Sequence, residues 1–266
     1  MKKYGGGARP IKALGQNFLA DSDIAAHIAG LSGADQASGV VEIGAGTGVL
    51  TAELAKRAAK VVSIEIDGRL FPILSDTLKI YNNIQIIQHD ALKMDFTALC
   101  AEKLGGLRHI LCANLPYNIT TPLLAAILKP ACFERAAVMV QREVALRLTA
   151  NAGTPEYGAF TLFVKNRADA EIVLDVPPHC FRPAPNVDSS VVVFRRVPLR
   201  CESPMFERVV RAAFSQRRKQ LINALSAGLH IERGAAAELL ERCGINPTAR
   251  GETLTLEQFG QLADAL

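Results

Sequence analysis

From about residue 40 to residue 165, short β-branched runs alternate with helix-patterned stretches, and this alternation constrains the fold more than any other feature of the chain. Strands separated by helices pair in parallel, because each connection crosses back over the sheet, so helices come to cover both faces. The expected strands are Val40–Ile43, Val61–Glu65, Ile84–Gln88, His109–Ala113 and Ala136–Val140. Two further β-rich runs, Ala159–Lys165 and Ser189–Arg195, follow without comparable helices between them and are expected as an antiparallel hairpin at the sheet edge, giving seven strands. Beyond Pro198 only helical spacing remains: Phe206, Val209, Val210, Ala213, Phe214, Leu221 and Leu225, then AAAELLERCG and LTLEQFGQLADAL. An α/β domain at 1–198 and a small all-helical domain at 199–266 are therefore expected.

At 266 residues, with 49% hydrophobic and 21% charged residues, the chain is long and apolar enough to build its core without disulfides or metal. No run approaches the roughly 20 apolar residues of a membrane span, and the basic N-terminus lacks an apolar signal core, so a cytoplasmic protein with no membrane partner is expected. Six dispersed cysteines and five dispersed histidines contain no metal-ligand spacing, which argues for thiols in a reducing compartment and against metal catalysis. Net charge is only +4, but the segment from Arg195 to Lys219 is locally +6 and the remainder −2. Such a run is either a solvated face or a surface for a polyanion.

The first strand runs into Glu42-Ile43-Gly44-Ala45-Gly46-Thr47-Gly48 and then a helical pattern, the arrangement that brings backbone close to a ligand. Val49 stands where a dinucleotide fingerprint needs its third glycine, which weakens a nicotinamide-cofactor reading. Glu65 ends the second strand, where a carboxylate can accept from both hydroxyls of a ribose; Asp90 ends the third and Asn114 the fourth. One polar strand end is ordinary, but together these favour a cofactor site at the carboxyl edge of the sheet.

Asn114-Leu115-Pro116-Tyr117 follows the fourth strand. Taken alone it is a proline turn with a packed tyrosine. After a glycine turn it resembles the N/D-P-P-Y/F loop of S-adenosylmethionine-dependent enzymes that methylate amino groups conjugated to a ring. Such an amine is a poor nucleophile and must be held pyramidal and aimed. The Asn114 side-chain oxygen and Leu115 carbonyl can accept its two N–H groups, Pro116 backs the turn, and Tyr117 offers a face to the base.

With these motifs the chain resembles the KsgA/Dim1 family of ribosomal RNA adenine dimethyltransferases. The likeness extends over nearly the whole length, through Lys12-Ala13-Leu14-Gly15-Gln16-Asn17-Phe18-Leu19, the proline-rich run from Val176 to Ser189, Phe214-Ser215-Gln216-Arg217-Arg218-Lys219 and Arg250-Gly251-Glu252-Thr253-Leu254. It implies a seven-stranded Rossmann-like class I methyltransferase sheet with a helical C-terminal domain that recognises RNA. It further implies that Asn17, Leu19, Gly44, Glu65, Asp90 and Asn114, with Gly46 in the same turn, hold S-adenosylmethionine, which leaves as S-adenosylhomocysteine. Tyr117 and Phe181 would sandwich the target base; local sequence fits equally a Phe181 ring packed under its own loop. Arg217, Arg218 and Lys219 would contact RNA backbone.

The implied activity is N6,N6-dimethylation of two adjacent adenosines in the 3′-terminal hairpin loop of 16S ribosomal RNA, on a partly assembled small subunit, by a monomer without metal. The competing readings are a large-subunit RNA methyltransferase of the antibiotic-resistance type and an assembly factor whose RNA binding outweighs its catalysis.

Overall fold

The computed structural model describes residues 10–11, 15–216 and 219–266. Its strands are β1 (Phe18–Leu19), β2 (Ser38–Ile43), β3 (Lys60–Glu65), β4 (Ile84–Gln88), β5 (Arg108–Asn114), β6 (Arg135–Gln141), β7 (Ala168–Val176), β8 (Phe181–Arg182) and β9 (Ser189–Arg196). The helices are α1 (Ser22–Leu31), α2 (Val49–Ala55), α3 (Phe71–Leu78), α4 (Phe96–Leu104), α5 (Thr120–Leu128), α6 (Arg142–Thr149), α7 (Ala159–Lys165), α8 (Phe206–Ser215), α9 (Leu221–Leu229), α10 (Arg233–Arg242) and α11 (Leu256–Asp264).

Seven strands form one mixed sheet in the order β4-β3-β2-β5-β6-β9-β7. The first five run parallel and β9 lies antiparallel to β6. The inner strand β2 is buried along its whole length, as a strand covered on both faces must be. Helix starts follow local chemistry: Asp21 accepts from the N–H groups of Asp23 and Ile24 ahead of α1, and Asp95 from that of Ala98 ahead of α4. Among the described residues no helix is long and apolar enough to cross a membrane.

Two edge elements differ from the sequence reading. Ala159–Lys165, expected as a strand, is α7; its β-branched and aromatic residues favour a strand, but tertiary contacts override that preference. Thr161 accepts from the Gly158 N–H at 3.1 Å and donates to the Arg147 carbonyl at 2.7 Å, which fixes the first turn, while Leu162 is buried among the C-terminal helices. The seventh strand is instead β7, whose ADAEIVLDV sequence mixes poor strand formers with apolar residues and is largely half-exposed.

The chain forms two compact units: one holds the chain up to Ala145 together with Glu171–Arg196, the other Leu146–Ala170 with Val197–Leu266. A single division near residue 198 thus leaves out an earlier excursion into the helical unit. In that unit Tyr157 and Leu162 share a core with Phe206, Val209, Leu225 and Phe259. The helical spacing read from Phe206 to Leu225 belongs to two helices, α8 and α9, separated at Gln216.

One charge-bearing side chain lies in the middle of the sheet. Register sets Glu42 opposite Ser63 and Cys112, and its Oε2 accepts from the Thr51 and Ser63 hydroxyls at 2.6 Å each. Oε1 has no partner among the described residues. Removal from water disfavours the carboxylate, and the carboxyl is pushed up to about 7 from its ordinary 4.5. The folded state holds this proton more tightly than the unfolded chain, so the contribution to stability is full below pH 4.5 and falls as pH rises to about 7. Glu42→Gln keeps an acceptor for both hydroxyls and does not titrate. It is expected to remove this fall, on the order of 3 kcal/mol, measured as the difference between wild-type and variant urea midpoints from pH 4.5 to pH 8.

Candidate active site

The carboxyl ends of β2, β3, β4 and β5 open into a cleft of the sheet unit, the edge at which open α/β sheets bind ligands. The cleft is open to solvent on one side, as a site that admits a small molecule must be. Gly44, Gly46, Glu65, Asp90 and Asn114 line it, joined by Asn17 and Leu19 from the segment before α1 and by Leu115, Pro116 and Tyr117. Ten residues singled out from sequence thus meet on one surface.

The glycine turn keeps its shape through two bonds: the Gly44 N–H donates to the Ile64 carbonyl at 2.8 Å and the Gly46 N–H to Glu65 Oε2 at 2.9 Å. Gly46 has φ +57°, and a Cβ there would stand 3.1 Å from the Phe18 ring. Glu65 is buried, its Oε1 accepting the Asp67 N–H at 2.9 Å. Burial raises its carboxyl above the ordinary range, and the backbone donors of Asp67 and Gly46 oppose that rise. Asp90 caps the short turn after β4, taking the Leu92 N–H at 3.0 Å on Oδ1.

Asn114 is held by Asn17 through a contact that neither motif signals. Its Nδ2 donates to the Asn17 carbonyl at 3.0 Å, which fixes the amide so that Oδ1 is the atom left to accept. The Leu115 N–H donates to Met139 at 3.1 Å, tying the tetrapeptide to β6. The segment before α1 is clipped again by Gln16, whose Nε2 donates to Asp67 Oδ2 at 2.9 Å. Arg69 binds both Asp67 oxygens and holds that carboxyl well below the usual range. Gln16 belongs to the motif at residues 12–19; Asp67, two positions past Glu65, carries no sequence signal.

Phe181 is elsewhere. It is fully buried, paired through β8 with Leu19, and packed in the sheet-unit core with Val176 and Val191. Phe181, expected to face the target base across from Tyr117, is thus not among the residues that line the cleft; burying a phenylalanine ring contributes about 1.5–3 kcal/mol, a competition local sequence does not reveal. The basic segment is also divided. Arg195 and Arg196 lie on β9, Arg195 paired with Glu171 and Arg196 donating to the Leu128 and Pro130 carbonyls, while Arg200 pairs with Asp169. Lys219 is exposed; Arg217 and Arg218 lie outside the described residues.

A seven-stranded sheet with its antiparallel strand next to one edge, and a G-x-G-x-G turn at its ligand-binding rim, defines a Rossmann-like methyltransferase. Among solved structures, a dimethyladenosine transferase from Plasmodium falciparum superposes with TM-score 0.79 at 25% identity, over 92% of this chain and 95% of that one. The 23S rRNA methyltransferase ErmE superposes with TM-score 0.74 at 27% identity, over 94% and 99%. Residues 9–266 match the ribosomal RNA adenine dimethylase family, and the chain belongs to it. The ribosomal RNA small subunit methyltransferase A of Lysinibacillus sphaericus is 44% identical over 275 residues, spanning all of this chain and 93% of its own. The Clostridium botulinum protein of that name is 44% identical over 260 residues, covering 96% and 93%.

Gly46→Ala combines a left-handed backbone with a close approach to Phe18. It is expected to lower stability by about 1–2 kcal/mol, measured by urea denaturation.

Proposed function

We propose that this chain methylates the exocyclic N6 amino groups of adenines in small-subunit ribosomal RNA, two adjacent adenosines of the 3′-terminal hairpin loop, taking each to N6,N6-dimethyladenosine. The observation that carries the reading is the Asn114 amide, held by the Asn17 carbonyl so that Oδ1 is left to accept at a cleft that Leu115 also lines; in this reading the Leu115 carbonyl is the second acceptor. Two acceptors suit an amine with two N–H groups, and holding both turns the nitrogen lone pair away from them.

S-adenosylmethionine, when bound, supplies an electrophilic methyl group and leaves as S-adenosylhomocysteine. The residues present fit it: a turn with no Cβ at Gly44 and Gly46 admits close backbone contact, Glu65 can take ribose hydroxyls, and Asp90 can accept from the adenine amino group. Asn17 and Leu19 line the same cleft. Tyr117 offers its ring to the target base, and once one methyl is in place Asn114 and Leu115 share the remaining donor. The helical unit, with Lys219 and the adjoining Arg217 and Arg218, contacts RNA backbone.

A large-subunit substrate is supported less well: ErmE is 27% identical, against 44% for relatives named for the small subunit. Incubation with labelled S-adenosylmethionine and small subunits lacking the modification, followed by nucleoside mass spectrometry and mapping, is expected to give N6,N6-dimethyladenosine. Accumulation of the monomethyl form alone, or modification only of large-subunit RNA, overturns the reading.

Glu65→Ala and Asp90→Ala each remove acceptors from the cleft and are expected to weaken S-adenosylmethionine binding about 10- to 100-fold, measured by calorimetry. Asn114→Ala is expected to retain RNA binding and lose about 100-fold or more in single-turnover rate. Asn114→Asp sets a carboxylate against the Asn17 carbonyl, and only its protonated form can donate there. Its deficit is expected to be larger at pH 8 than at pH 6 in the same assay.

A further inference from the structure

We propose that Ser189 is a positioning residue for methyl transfer, its hydroxyl anchoring the Tyr117 ring and so setting the plane against which the target base lies. This rests on the cleft being a site of adenine methylation. Tyr117 Oη and Ser189 Oγ are 2.6 Å apart, although the residues are 72 positions apart in the chain. The main chain around Tyr117 is already fixed: the Leu115 N–H donates to Met139, the Ile119 N–H to the Pro116 carbonyl at 3.2 Å, and the Thr120 hydroxyl to the same carbonyl at 3.0 Å. What remains is rotation of the side chain about its two torsions, and one bond at its far end removes it.

The anchor itself is rigid. Ser189 is fully buried and opens β9, where antiparallel pairing sets it opposite Gln141. On either side of it the Arg142 N–H donates to the Asp188 carbonyl at 3.0 Å and the Ser190 hydroxyl to Asp175 at 2.6 Å. Tyr117 is half-buried and lines the cleft. A tilt of the base swings its amino nitrogen away from the acceptors at Asn114 and Leu115, and transfer rates are sensitive to displacements of that kind.

A serine that merely satisfies a tyrosine hydroxyl would alter stability and leave the reaction alone. The two roles separate in a mutant cycle of wild type, Ser189→Ala, Tyr117→Phe and the double variant, each assayed for kcat, KM for small subunits and Kd for S-adenosylmethionine. Both single variants remove the same bond while retaining the ring. Each is expected to lower kcat about tenfold with cofactor Kd unchanged, and the double variant to be no slower than either single one. Tyr117→Phe tests the bond from its other end should Ser189→Ala fold poorly. Wild-type kcat in Tyr117→Phe or in a folded Ser189→Ala, multiplied losses in the double variant, or an effect confined to melting temperature or cofactor Kd overturns the proposal. A wild-type protein that makes no dimethyladenosine overturns the functional reading and this proposal with it; an active wild type with unimpaired single variants overturns the proposal alone.

Discussion

The parallel register of β2 between β3 and β5 is the constraint on which the site depends. Ile43 stands opposite Ile64 on one side and Ala113 on the other, so the next residue on each strand, Gly44, Glu65 and Asn114, emerges at one height. Glu65 in turn stands opposite Gln88, which leads β4 to Asp90. Side chains alternate between faces of a strand, so a slip of one residue would turn each group to the opposite side. Glu42, inside β2, accepts from Thr51 and Ser63 and would lose both partners in such a slip, so the interior of the sheet sets the spacing of the chemistry.

The second layer of organisation comes from the chain before α1. Within Gly15–Leu19, Gln16 reaches Asp67 beyond β3, the Asn17 carbonyl takes the Asn114 amide at the end of β5, and Leu19 pairs with Phe181 in β8. Each bond is modest alone, a net contribution of about 0.5–1.5 kcal/mol. Together they join loops that leave the sheet separately, and the charged Arg69–Asp67 pair holds the Gln16 acceptor ionised.

The five parallel strands, the glycine turn and the polar residues that end those strands could be read from sequence because they follow from local pattern: apolar runs, left-handed glycines, a carboxylate or amide where a strand stops. The edge could not. Ala159–Lys165 has strand-like composition and is a helix because Leu162 packs among helices from much later in the chain, while β7 carries the acids and alanine that argue against a strand. Phe181 was ambiguous for the same reason, since proline on either side of an aromatic residue stiffens its loop without saying which way the ring faces. The clip between Asn114 and Asn17 spans 97 positions and left no trace in either motif.

The excursion of Leu146–Ala170 into the helical unit has a consequence for how the molecule is made. β6 is complete at Gln141, but its antiparallel partner runs from Ser189 to Arg196, so a chain emerging from the ribosome carries an open strand edge while the excursion is synthesised. Tyr157 and Leu162 are by then also translated and wait for Phe206, Leu225 and Phe259 before they can leave water. Nascent chains of this protein therefore pass through an interval of exposed apolar surface and unpaired backbone, the stretch of synthesis in which a holding chaperone has most to bind.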